Sequence, residues 1–142
     1  MPINRREICS LLPFVMLAGP LASADDSTLS SGVFPFQDLP VKQGKGVQTR
    51  NIMKGTLATG EQVEVHETVL EPGAGPHPPH QHKHSEMWLI REGTVEITIN
   101  GKSRQIGPGS AAFVASNEEH GIRNPGTTPA SYFVVAVGPM GA

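Results

Sequence analysis

His80-Gln81-His82-Lys83-His84-Ser85-Glu86-Met87-Trp88-Leu89-Ile90 is the stretch whose reading decides the fold. Its first half is rich in metal-ligating residue types, its second half is apolar, and neither half has a helical period. In an extended strand alternate residues face the same way. A continuous strand through residues 80–86 therefore projects His80, His82, His84 and Glu86 onto one face. Imidazole nitrogens and a carboxylate converging in this way suit a first-row divalent cation. A lone His-x-His would read as a solvated loop that picks up metal adventitiously. The carboxylate, the prolines at 76, 78 and 79, and a distant partner at His120 argue against that reading. The same parity sends Trp88 and Ile90 inward as an apolar wall, and Met87 and Leu89 outward.

From Val47 onward the chain is a series of short strand-like runs separated by turn residues. Gln62-Val63-Glu64-Val65 alternates, and Pro72-Gly73 closes that run. Thr94 to Ile99 alternates as well, and Asn100-Gly101 after it is the strongest two-residue hairpin signal. Lys102 to Ile106 returns, Gly107-Pro108-Gly109 turns the chain, and Ser110–Val114 and Tyr132–Val137 are further strands. Sixteen glycines and thirteen prolines in a chain of 142 residues fit many tight breaks. This pattern predicts an all-β fold, a single antiparallel sandwich or barrel.

With the second histidine region the chain resembles the cupin superfamily. The first motif of that family runs glycine, five residues, His-x-His, three or four residues, Glu, six residues, Gly. Here His80-Gln81-His82, three residues, Glu86, six residues and Gly93 follow it. The second motif runs Gly, five residues, Pro-x-Gly, two residues, His, three residues, Asn. Here it is Gly109, five residues, Ala115-Ser116-Asn117, two residues, His120, three residues and Asn124. Three positions depart from the pattern. Gly75 and Gly73 leave four and six residues before His80 rather than five, Ala115 replaces proline, and Asn117 replaces glycine. Asparagine is the residue other than glycine that best tolerates a left-handed backbone. The resemblance implies a cupin, jelly-roll barrel over residues 47–142. It implies His80, His82, Glu86 and His120 as ligands of one divalent metal, with positions left open to water or substrate. Mn, Fe, Co, Ni, Cu and Zn all suit three imidazoles and a carboxylate, and intrinsic affinity favours Cu. His84, on the ligand face, is expected to orient a ligand or carry a proton. His77 reads as a rim residue, and His66, in an alternating strand, as a surface residue.

Residues 1–24 read as an export signal. Arg5 and Arg6 give a positive start, an apolar stretch follows, and Ala22-Ser23-Ala24 is a cleavage pattern. The apolar stretch is too short to span a membrane. Arg5-Arg6 leaves the Sec and twin-arginine routes both open, and either delivers the chain to the periplasm or beyond it. Folding before twin-arginine export would let Mn or Fe be trapped first, whereas Sec export would expose the site to Cu and Zn. The single cysteine, Cys9, leaves with the signal, so no disulfide and no thiol chemistry are expected. Residues 25–46, rich in Ser, Gly and Pro, read as an extended N-terminal arm. The net charge is −2 with no basic stripe, so neither nucleic acid nor a membrane surface is an expected partner.

Three functions fit these residues. The first is a dioxygenase-like oxidoreductase acting on a small organic molecule, in which Glu86 stays ligated or swings free as general base and His84 is a second proton carrier. The others are a non-catalytic periplasmic metal- or small-ligand-binding protein, and a metal-dependent isomerase or lyase. The fold alone does not choose among them. Arg91 and Arg123 have the opposite parity to Glu86 and His120 and are expected to point away from the metal. The outward Met87 and Leu89 are expected to be covered by the N-terminal arm or by a second subunit, and the resemblance implies a homodimer.

Overall fold

Asn100 and Gly101 both adopt positive φ, 48° and 75°, the backbone that a two-residue type I′ hairpin requires. They join β5 (Val95–Ile99) to β6 (Lys102–Ile106) in a register running from Val95↔Ile106 to Ile99↔Lys102. The computed structural model describes residues 28–141. The expected export signal and Cys9 lie outside the described residues. Seven further strands are β1 (Val41–Gly44), β2 (Val47–Thr56), β3 (Gln62–Leu70), β4 (Ser85–Glu92), β7 (Ala111–Val114), β8 (His120–Arg123) and β9 (Ala130–Val137). Among the described residues the only helical element is a 3-10 turn at Phe36–Asp38. The end of the expected arm thus supplies that turn and β1, which pairs with β2.

The strands form two sheets, one of order β1-β2-β3-β9-β4-β7 and one of order β6-β5-β8, with every pairing between named strands antiparallel. This is the expected all-β jelly roll. The inner faces pack Leu70, Trp88, Ile90, Val95, Ile97, Val114, Ile122 and Tyr132 into one core. Met87 and Leu89 are about two-fifths exposed on the outer face, and Trp88 and Ile90 are buried, as the alternation requires.

Two devices shape the loops around the site. Gly93 has φ 70°, and a Cβ there would fall 2.7 Å from the Pro129 carbonyl oxygen, so only glycine lets the two loops cross. Asn124 is fully buried. Its Nδ2 donates to the carbonyls of Leu70 at 3.0 Å and Thr128 at 2.8 Å, and its Oδ1 accepts from Gly126 N–H at 2.8 Å. Every polar atom of that amide is satisfied, so it staples the end of β8 to the end of β3.

Candidate metal centre

The strand carrying Glu86 begins only at Ser85, and Lys83 and His84 lie in a bend. Shared strand parity is therefore not what gathers the first motif. His80 instead forms an isolated bridge with His120: His80 N–H donates to the His120 carbonyl at 3.0 Å, and His120 N–H to the His80 carbonyl at 2.8 Å. The His82 carbonyl accepts from Asn117 N–H at 2.8 Å. Asn117 is in the left-handed region, φ 63°, as its replacement of glycine predicted. Tertiary pairing between the two motifs thus converges the histidines.

The side chains meet closely. The imidazole of His120 lies 4.7 Å from that of His80 and 4.6 Å from that of His82, centre to centre. Donor atoms of His80, His82 and His120 all lie within 4.8 Å of one another, as do those of His82, His84 and Glu86. His82 Nδ1 is 2.9 Å from the His84 carbonyl, and His120 Nδ1 is 2.8 Å from the Glu118 carbonyl. A carbonyl only accepts, so in the neutral ring each Nδ1 carries the proton and each Nε2 keeps its lone pair. Both Nε2 atoms are buried without a hydrogen-bond partner. They face Glu86, with His82 Nε2 3.3 Å from Oε1 and His120 Nε2 3.7 Å from Oε2.

Acceptor atoms therefore look at acceptor atoms across a partly buried gap. A cation placed in that gap would be held from both sides. Nitrogen and carboxylate donors at this spacing fit a divalent transition metal, and the cluster is capable of binding one.

His84 stacks on His82 with ring centres 3.5 Å apart and planes 12° from parallel, and its Nε2 lies 3.3 Å from Glu86 Oε1. Burial, and then the neighbouring His82, push the His84 pKa down, against the pull of Glu86. Burial, then His77, His120 and His82, also push the His80 pKa down. Both shifts favour the neutral imidazole, the form that ligates metal. His77 is exposed, with its ring edge-on to His80 at 3.9 Å. Arg123 turns outward to Glu96 at 2.7 Å, and Arg91 turns outward to Glu67. A cavity of about 490 Å³ opens beside the Pro76–Pro79 loop on the outside of the small sheet, and none of the four expected ligands lines it.

His66 corrects its expectation. It lies across β9 from Val134, which in turn faces the buried Trp88, so its side chain is on the inner face. Glu64 shares that face two residues earlier. Apolar Val63 and Val65 had suggested the opposite parity. The β3 ladder with β9 runs without a shift from Val63 to Leu70, and the buried Thr68 and Leu70 fix which side is inner.

Fold and site define a jelly-roll protein with a candidate metal-binding His/Glu cluster built from β4 of the large sheet, β8 of the small one and the loop at residues 80–84. A family model described as "Cupin domain" matches residues 66–136, half of the chain, and the chain belongs to that family. It is 28% identical over 83 residues to the mannose-1-phosphate guanylyltransferase ManC of Salmonella typhimurium, a match covering 58% of this chain. The match spans 17% of that protein, so the chain covers less than a fifth of the curated relatives it matches first. An RmlC-like cupin from Shewanella frigidimarina superposes with a TM-score of 0.66 at 19% identity, over 78% of this chain and 94% of that one. A predicted oxalate decarboxylase from Thermotoga maritima gives 0.65 at 19% identity, over 76% and 100%. These likenesses show the fold.

Proposed function

We propose that this is an exported cupin enzyme that holds one divalent metal ion with His80, His82, Glu86 and His120 and oxidises a small organic molecule in a dioxygenase-like reaction. The observation that carries the metal assignment is the set of lone pairs on His82 Nε2 and His120 Nε2 aimed at the Glu86 carboxylate. When bound, the metal would supply Lewis-acid polarisation of a coordinated oxygen. The chain's own contribution is proton handling. Glu86 Oε1 takes a proton from the substrate, and neutral His84, 3.3 Å away, accepts it or returns it. The lowered pKa of His84 keeps that imidazole free to act as a base at neutral pH.

Two copies pair through the outer face of β9, β4 and β7. There the register sets Val135 beside Met87 and Met87 beside Phe113, with Phe113 59% exposed. A monomer at micromolar concentration on a sizing column removes the dimer from this reading.

The experiment that tests the reaction is oxygen uptake by the metal-loaded protein with flavonols, diketones, catechols and polyhydroxy acids. Uptake that is lost in Glu86→Gln supports the oxidoreductase reading. The Glu86–His84 pair itself needs no oxygen, which favours a metal-dependent isomerase or lyase as the second reading. Turnover that persists under anaerobic conditions would select it. Tight metal binding without any turnover would make the protein a binding or storage cupin. Elemental analysis of protein made and exported in its own cell identifies the metal.

A further inference from the structure

The inner face of the large sheet is closed at one end and open at the other. At the closed end Thr68, Tyr132 and Ile90 share a row, and each is at most 4% exposed. At the other end the inward side chains still reach solvent: Glu64 is 31% exposed, His66 22%, Glu86 15% and His84 16%. Inward residues that stay partly wet mark a mouth. One row crosses it, Lys54–Glu64–Ala136–Glu86–Val114. The next, Asn51–His66–Val134–Trp88–Ala112, lies deeper, with Val134 and Trp88 buried.

In the first row, only the single methyl of Ala136 stands between Glu64 and Glu86. Two inter-strand spacings separate their backbones, roughly 10 Å. The far side of this mouth is polar and connected. Lys54 Nζ lies 2.8 Å from Glu64 Oε2, and His66 Nδ1 lies 3.6 Å from Glu64 Oε1. That Nδ1 is buried and has no hydrogen-bond partner. None of these groups belongs to the candidate metal cluster, although Glu64 and His66 lie within electrostatic reach of His84 and Glu86. A protein built to hold an apolar ring would face the metal with apolar side chains there, and Trp88, at 2% exposure, is sealed in the core.

We propose that Glu64, His66 and Lys54 form a substrate-binding wall facing the metal ligands across Ala136, and that the substrate is an oxygen-rich molecule of about five or six carbons, chelated at one end and hydrogen-bonded through hydroxyl groups at the other. The Glu64 carboxylate accepts from hydroxyls, His66 Nδ1 gains the partner it lacks, and Lys54 donates to an oxygen. This rests on the metal centre proposed above, and it names the substrate class for that site.

Three probes that share one chelating α-hydroxy acid end separate the two ideas: glycolate, gluconate and 3-phenyllactate, titrated calorimetrically into metal-loaded protein freed of excess metal. Gluconate is expected to bind about tenfold tighter than glycolate, the worth of one charge-assisted hydrogen bond. Glu64→Gln is expected to remove that gain while leaving glycolate affinity and metal content unchanged. Lys54→Met, at a side chain 69% exposed, gives a milder loss and guards against misfolding of the first variant. Phenyllactate binding tighter than gluconate overturns the proposal, as does equal weakening of glycolate and gluconate by Glu64→Gln. If glycolate binds and gluconate gains nothing, the wall fails and the metal centre stands. If the metal binds and glycolate does not, the open coordination position fails and the wall falls with it.

Discussion

The two faces of the large sheet each carry a partly buried cluster of charged or ligating groups, and the two clusters are built on opposite principles. On the outer face, Glu67 is 1% exposed but meets its complement. Arg91 is bonded to its carboxylate, Arg50 Nε lies 3.9 Å from it, and the Phe36 ring lies 4.3 Å from the Arg50 guanidinium. On the inner face, Glu86 meets the lone pairs of His82 and His120. On the outer face charge is matched by charge within the chain and serves structure, although Arg50 Nε and Glu67 Oε2, 3.9 Å apart, make no hydrogen bond. Acceptors facing acceptors leave room for a cation, and that makes the inner cluster the candidate metal site. A single strand, β3, contributes to both faces, with Glu67 on the outer one and Glu64 and His66 on the inner one.

The contrast can be broken most strongly at His120. His120→Ala removes the Nε2 that faces Glu86, and metal affinity is expected to fall more than 100-fold, beyond the 10–100-fold typical of groups that only orient ligands. Equilibrium dialysis with Zn(II) or Co(II) reads this directly, and unchanged affinity would dissolve the inner cluster as a metal site. Glu67→Ala should do the reverse. Stability falls by about 2 kcal/mol as the outer pair is broken, measured by urea unfolding of the apo-protein, while metal affinity stays as it was.

His84→Ala is expected to weaken metal binding by about tenfold, about 1.4 kcal/mol, because its imidazole orients Glu86 and packs on His82. A loss as large as that of His120→Ala would promote His84 to a ligand. The smallest effect concerns pH. The pKa values of His66, His80 and His84 are pushed down, with burial the leading cause in each. A histidine lowered in the folded state binds its proton more readily when unfolded. Its contribution to stability is thus present above the ordinary histidine range and is lost as pH falls below about 6.5. The melting midpoint of the apo-protein should drop by a few degrees between about pH 7 and pH 5. Bound metal should hold the midpoint up further into acid, since it competes with those protons.

Much of this was legible in the chain because short-range chemistry dictated it. Asn100-Gly101 could make little but a tight hairpin, and Asn117 occupies the left-handed backbone that its position demanded. The spacing of Trp88 and Ile90 fixed the inward face of β4, and with it Glu86. The failures fall where alternation gives the wrong answer. Val63 and Val65 looked like inward residues, and so His66 looked like a surface one. At the open end the inner face carries Glu64 and His66 in place of apolar side chains, so the usual rule of apolar residues inward inverts there.

By itself, the sequence determined the fold class and the residue types of the metal cluster, because turn chemistry, alternation and motif spacing are local properties. Only the tertiary structure decided how the cluster closes and what stands opposite it. The pairing of His80 with His120 and the placement of Glu64 and His66 across Ala136 depend on which strands become neighbours. That choice is made by burying one shared core, which no single segment encodes.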